Sequence, residues 1–238
     1  MEKKIEAFER SAQTYEEWYR TPIGAYAHKA ELKALRQLLP KSGLGAEMGS
    51  GTGIFAKDLT SEDREVLCVD PSAQMVGQSK AKNLPTLLGI AEEPPVKEHC
   101  LDFLYLVTVL EFLSDPVKAL SSLGNLLKPR APIVVLGINR QSPWGEAYIE
   151  ASKRSTSVFM YSNIYTADES ILTLQSAGYR ISGFLMALDI GPNETPRGEP
   201  RTYLPQYLEN GGVFILRGAS KKDENNDSSI QLPWKRRK

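Results

Sequence analysis

A chain of 238 residues, 41% hydrophobic and 24% charged, can bury one substantial core, which excludes a largely disordered protein. Lys+Arg and Asp+Glu both number 29, so no overall positive field gathers phosphate backbones, and nucleic acid is not the expected partner. No run approaches the ~20 apolar residues of a membrane span and the N-terminus carries no export-type apolar stretch, so a cytoplasmic protein with reduced Cys68 and Cys100 and no membrane partner is expected.

In chain order, the first marked segment is Tyr15-Glu-Glu-Trp18-Tyr19-Arg-Thr-Pro22-Ile-Gly24-Ala-Tyr26, unusually aromatic, with Pro22 and Gly24 as expected bending points. Leu32, Leu35, Leu38 and Leu39 then recur at helical spacing and predict an amphipathic helix over 28–39, ended by Pro40 and Gly43. A short apolar strand over 44–48 runs into a glycine turn and a helix over about 54–60, and a second strand over 66–70 ends on an acid. Further buried strands read at 86–90, 101–109 and 133–138, with helical spacing over 117–127 and 167–177. Strand and helix alternate, which predicts right-handed βαβ units and a mainly parallel sheet covered by helices on both faces.

The last two strand-like runs, 179–188 and 212–217, have a turn-rich, exposed linker between them and predict a C-terminal antiparallel hairpin. From 221 the chain turns polar, so one domain over 1–220 is expected, followed by a flexible tail over 221–238 whose Lys235-Arg-Arg-Lys238 receives no role.

The chemistry concentrates at Glu47-Met-Gly49-Ser50-Gly51-Thr-Gly53, which follows a strand and opens a helix, where glycines permit a tight turn and close approach of backbone to a ligand. Asp70, ending the second strand, stands where a carboxylate accepts ribose hydroxyls, although capping the next helix is an equal use of Asp70-Pro71 taken alone. Together the two predict a nucleoside cofactor. An acid at Glu47 repels the pyrophosphate of a dinucleotide and attracts an ammonium and a sulfonium, and Ile54 stands where the dinucleotide fingerprint requires glycine or alanine, so S-adenosylmethionine is favoured over a nicotinamide.

Glu47-x-Gly49-x-Gly51-x-Gly53, Val69-Asp70-Pro71-Ser-x-x-Met75, Gly89-x-Ala91-Glu92 and the run 102–112 resemble, in order and spacing, the successive motifs of type 11 class I methyltransferases. The resemblance covers roughly 12–180. It implies methyl transfer from S-adenosylmethionine on an α/β, Rossmann-like fold, with a seven-stranded mostly parallel sheet. It also implies that Glu47, Gly49 and Gly51 line the methionine part of the cofactor, with Ser50 and Gly53 in the same turn. Asp70 and Pro71 then lie at the ribose, Met75 covers the adenine, and Ala91 and Glu92 read its edge. Val107, Thr108 and Val109 border the methionine and the reactive methyl. Met75 is equally suited to core packing, and strand core is the commoner fate of residues such as Thr108 and Val109 taken alone.

Glu93-Pro-Pro-Val departs from the family's usual leucine followed by Pro-Phe, which leaves Glu93 without an assignment. The aromatic segment resembles the lid preceding the sheet in this family, placed at about 8–30, with Tyr15, Trp18 and Tyr26 as cofactor-binding candidates that face a sulfonium and exclude water. Ordinary packing on the sheet edge is the alternative for each of them.

His28 and His99 read as structural or solvated, and no metal-ligand spacing exists. No catalytic base is assigned, because in-line transfer requires mainly alignment and removal of water. Little of the chain extends beyond the core fold except the lid, the segment 142–165 and the loop 191–206, which are expected to surround a small-molecule acceptor. The rival readings are a methyltransferase acting on RNA or protein, a nicotinamide oxidoreductase, and a protein that binds S-adenosylmethionine without catalysis.

Overall fold

The computed structural model describes residues 2–220; the polar segment read as a tail lies outside the described residues. The sheet-forming strands are β1 (Gly43–Met48), β2 (Arg64–Asp70), β3 (Thr86–Leu88), β4 (Phe103–Val107), β5 (Ile133–Ile138), β6 (Tyr179–Ala187), β7 (Thr202–Tyr203) and β8 (Val213–Ser220). They form one sheet in the order β3-β2-β1-β4-β5-β8-β6-β7. β1 to β5 pair in parallel, and β8 inserts antiparallel between β5 and β6, completing the expected hairpin. The seven expected strands are joined by β7, a two-residue edge strand that the turn-rich linker gave no reason to expect.

The central strands are buried on both faces, as parallel strands under helices require, and every residue of β4 and β5 is buried. Side chains alternate along β4. Phe103, Tyr105 and Val107 join one core with α3 (Pro22–Leu38) and α4 (Ile54–Leu59), whereas Leu104 and Leu106 join the other. That second core takes Leu120 and Leu123 from α6 (Pro116–Gly124) and Leu174 from α8 (Ala167–Ser176). α8 starts on a capping box in which Thr166 and Glu169 satisfy each other's backbone N–H groups.

Before the sheet, the structure corrects the sequence reading. α3 begins at Pro22 rather than 28, because Thr21 caps it by accepting the Gly24 N–H at 3.1 Å and Pro22 sits at the first turn, where its missing N–H costs nothing. Pro22 and Gly24 are therefore the start of a helix and not a bend. Two further helices, α1 (Glu2–Ser11) and α2 (Glu17–Arg20), precede it. The remaining helices are α5 (Ala73–Ala81) and α7 (Pro143–Ser152). Among the described residues no helix is long and apolar enough to cross a membrane.

Candidate functional site

The glycine turn leaves β1 with Gly49, Gly51 and Gly53 all at positive φ, a region that L side chains avoid. At Gly49 (φ +69°) a Cβ would lie 2.5 Å from Val109, and at Gly51 (φ +53°) it would point toward Tyr15 and Met75 at 3.8 and 4.0 Å. The turn is thus drawn tight on one side and left bare where a ligand approaches. Asp70 fastens it: one carboxyl oxygen accepts the Gly51 N–H at 2.8 Å, and the other accepts the Ser72 N–H at 2.9 Å. The helix cap is Ser72 rather than Asp70, its hydroxyl accepting the Met75 N–H at 3.2 Å.

Above the carboxyl ends of the strands lies a cavity of about 380 Å³. Switch-point crevices of this kind hold ligands in open α/β sheets, and this volume is within the ordinary range for small-molecule sites. Gly49, Gly51, Asp70, Pro71, Met75, Ala91, Glu92, Val107 and Thr108 all line it, and so do Tyr15 and Trp18. Thr108 has φ +50°. A β-branched residue in that region carries strain of roughly 1–3 kcal/mol, and such strain collects where a site demands it. Its N–H, bonded to the Leu136 carbonyl at 2.9 Å, holds it in place.

Four sequence-predicted residues are not on the wall. Tyr26, absorbed into α3, donates its hydroxyl to Asp189 at 3.1 Å and borders a second cavity with the 191–206 loop, which therefore does not surround the first. Glu47 turns beneath the sheet surface, accepting the Tyr105 hydroxyl at 3.0 Å; burial pushes its carboxyl up to about 8, against the pull of that bond. Ser50 is buried within the turn, and Gly53 forms the N-cap of α4. With Glu47 protonated near neutrality, the negative charge facing a ligand comes from the wall: burial raises Asp70 to about 6, opposed by its two backbone bonds.

Other lining residues were not singled out in the sequence, although the segment 142–165 was expected at the site. α1 roofs the cavity with Lys4, Ile5, Phe8 and Ser11; Lys4 donates to the Phe112 carbonyl, and Glu9 accepts the Ala73 N–H at 3.1 Å. Glu16 pairs with Lys82 at 2.7 Å, and Lys82 also donates to the Thr52 carbonyl at 2.7 Å, tying the segment before α2 to the glycine turn. From α7, Trp144 and Tyr148 reach the wall, with Phe159 from the following 3-10 turn, Val158–Tyr161. Ring contacts run on around the site: Phe8 to Phe112 at 5.0 Å, Phe112 to Phe159 at 5.8 Å, Phe159 to Tyr148 at 4.3 Å and Tyr148 to Trp144 at 6.4 Å. Trp144 meets Trp18 at 6.1 Å, and Trp18 meets Tyr19 at 4.9 Å.

Glu31, on the buried face of α3, also lines the cavity; burial first and the neighbouring Glu111 second push its carboxyl up to about 8. Glu111 accepts the Ile138 N–H at 2.8 Å through one oxygen, its other oxygen is buried without a partner, and burial raises it to about 7. The histidines lie elsewhere: His28 packs on Phe55 at 4.7 Å, and His99 sits 3.2 Å from the Leu127 carbonyl.

The family model described as a methyltransferase domain, type 11, matches residues 46–135. A protein of Methanocaldococcus jannaschii is 30% identical over 176 residues, 74% of this chain and 82% of that relative. A Mycobacterium tuberculosis relative is 25% identical over 173 residues; the match takes in 72% of this chain but only 59% of that protein. In structure, a S-adenosylmethionine-dependent methyltransferase from Thermotoga maritima, described as a possible histamine N-methyltransferase, is similar with a TM-score of 0.79 and 27% identity, over 92% of this chain and all of that one. The fold is shared with a S-adenosylmethionine-dependent methyltransferase of Archaeoglobus fulgidus, at a TM-score of 0.65 and 15% identity over 87% of this chain and 98% of that one. The fold and these matches define a S-adenosylmethionine-dependent methyltransferase of the Rossmann-like class. The chain belongs to the type 11 family of class I S-adenosylmethionine-dependent methyltransferases.

Proposed function

We propose that the chain transfers a methyl group from S-adenosylmethionine to a small molecule held in the same cavity. The observation that carries this reading is the cavity's double lining: motif residues on the strand side, and a belt of aromatic rings from α1, α2 and α7 on the other. In this reading Asp70 accepts the ribose hydroxyls, Met75 and Ala91 pack on the adenine, Glu92 reads its edge, and Gly49 and Gly51 leave room for the methionine moiety. Glu47 acts from behind, by holding the strand end through Tyr105 rather than by contact. The bound donor supplies an electrophilic methyl on a sulfonium. The chain's part is to align the acceptor, exclude water and present π faces and carboxyls to positive charge. Residues 2–20 serve as the lid in place of the 8–30 read from the sequence.

An acceptor small enough to be enclosed suits a site whose wall carries one basic side chain, Lys4, already engaged with a backbone carbonyl. Calorimetry with S-adenosylmethionine, S-adenosylhomocysteine and NAD tests the first half, with binding expected for the first two alone. A radiolabelled-methyl screen across metabolites, tRNA and cell protein tests the second. Label in the small-molecule fraction is expected, and label confined to tRNA or protein overturns the acceptor class.

A further inference from the structure

We propose that Glu31 seats the methyl acceptor and that this acceptor is an amine, an ammonium in water, methylated on nitrogen. The proposal rests on the methyl-transfer reading above and gives its acceptor a chemical class. Glu31 stands on the stripe of α3 formed by Ala27, Leu35 and their neighbours, only 7% exposed, as the one charged side chain among the buried residues of that helix. It lines the cavity, and among the described residues no side chain pairs with its carboxyl. Burying a carboxyl without a partner costs free energy that packing does not return, so its position calls for a ligand that completes it.

The surroundings select the sign of that ligand. The charged group whose field reaches Glu31 is Glu111, also buried, with a second oxygen left unpartnered. Two carboxyls repel a carboxylate or phosphate and attract a cation. Tyr19, Trp18, Trp144 and Tyr148 line the same cavity, and the Glu31 charge acts together with burial to raise the phenols of Tyr15, Tyr19 and Tyr148. A cation desolvated among aromatic faces gains from them. Without one, the carboxyl keeps its proton up to about pH 8. The charge that reaches Glu31 belongs to Glu111, which accepts the Ile138 N–H at the end of β5.

The same carboxyl serves the chemistry. Entry of the ammonium drives the carboxyl's own proton out to solvent; the ionised Glu31 then takes one N–H proton from the ammonium, which becomes a neutral amine. Its nitrogen lone pair then forms the N–C bond as the S–C bond of the sulfonium breaks, the bonding pair staying on sulfur. The methylated nitrogen leaves with the positive charge that sulfur lost.

The test uses the full chain loaded with S-adenosylhomocysteine and titrated with 2-phenylethylamine, cyclohexylmethylamine and pentylamine, each beside its matched alcohol and carboxylate. At least one amine is expected to bind on the order of tenfold tighter than its matched alcohol, with no carboxylate binding. With deuteromethyl donor, mass spectrometry is expected to find the label on nitrogen. Glu31→Gln keeps the volume and removes the charge; amine affinity and kcat/KM should fall about tenfold or more while S-adenosylhomocysteine affinity stays within about twofold. A smaller fall, equal binding of the alcohols, or lost S-adenosylhomocysteine affinity in Glu31→Gln overturns the assignment. A wild-type chain that binds neither S-adenosylhomocysteine nor S-adenosylmethionine instead overturns the methyl-transfer reading, and the proposal with it.

Discussion

Each oxygen of the Asp70 carboxyl is committed to one backbone N–H, Gly51 or Ser72, and the side chain still lines the cavity. A carboxylate has capacity for about four hydrogen bonds, so two remain for a ligand. Asp70→Ala removes both the ligand contacts and the strut under the turn. We expect S-adenosylmethionine affinity to fall by about 1–3 kcal/mol, the range for hydrogen bonds to a charged group. Calorimetry on the folded variant checks it, and an unchanged dissociation constant removes Asp70 from the cofactor site. Asp70 was legible because an acid at a strand end, a fixed distance after a glycine turn, is a local pattern. Glu31 was not, since on paper it is one more charge on an amphipathic helix; only its place between Ala27 and Leu35, one helical turn from each, marks it as inward-facing. Glu47 was half legible. Its place at the end of β1 was legible, but it was read as facing the cofactor, and its burial against Tyr105 depends on the strand beside it, seen only after folding.

At the scale of elements, the strands were readable because β1, β2 and β5 are contiguous apolar runs bounded by turn residues, and β5 spans the same residues in sequence and structure. β7, two residues long, has no period to detect. α1 escaped for a different reason: Glu-Lys-Lys-Ile-Glu-Ala-Phe-Glu-Arg-Ser buries only Ala7 and turns Ile5 and Phe8 to the cavity, so its apolar side serves the site rather than the core. That composition also governs its stability. A helix of 10 residues with one buried side chain is marginal alone, and Glu9, Lys4 and Glu16 tether it and its neighbour through few contacts. α3, in contrast, is capped and deeply packed. We therefore expect hydrogen exchange over residues 2–20 to slow when S-adenosylmethionine binds, with little change over 24–38. Equal exchange in both states would make α1 and α2 static packing rather than a lid.

At the scale of the whole molecule, the buried carboxyls set a pH dependence that opposes the usual one. Burial holds Glu31 and Glu47 at about 8, Glu111 at about 7 and Asp70 at about 6, each above its ordinary value near 4. The folded chain therefore keeps protons that the unfolded chain releases above about pH 5, so unfolding sheds protons and stability falls as pH rises. Each group contributes roughly 1 kcal/mol per pH unit between its unfolded and folded values, and Glu31 and Glu47 act across the widest window. His28, held low first by burial, works the other way only below its ordinary value of about 6.5. Melting of the ligand-free protein should accordingly be highest near pH 5 to 6 and decline through pH 8, where paired carboxylates elsewhere are already ionised and contribute no slope. Glu47→Gln keeps an acceptor for the Tyr105 hydroxyl and cannot ionise, so it should match the wild type near pH 5.5, melt higher at pH 8.5 and flatten the decline between them. A wild-type melting temperature that is level or rising from pH 5.5 to 8.5 would mean that these carboxyls ionise in the folded chain at little cost.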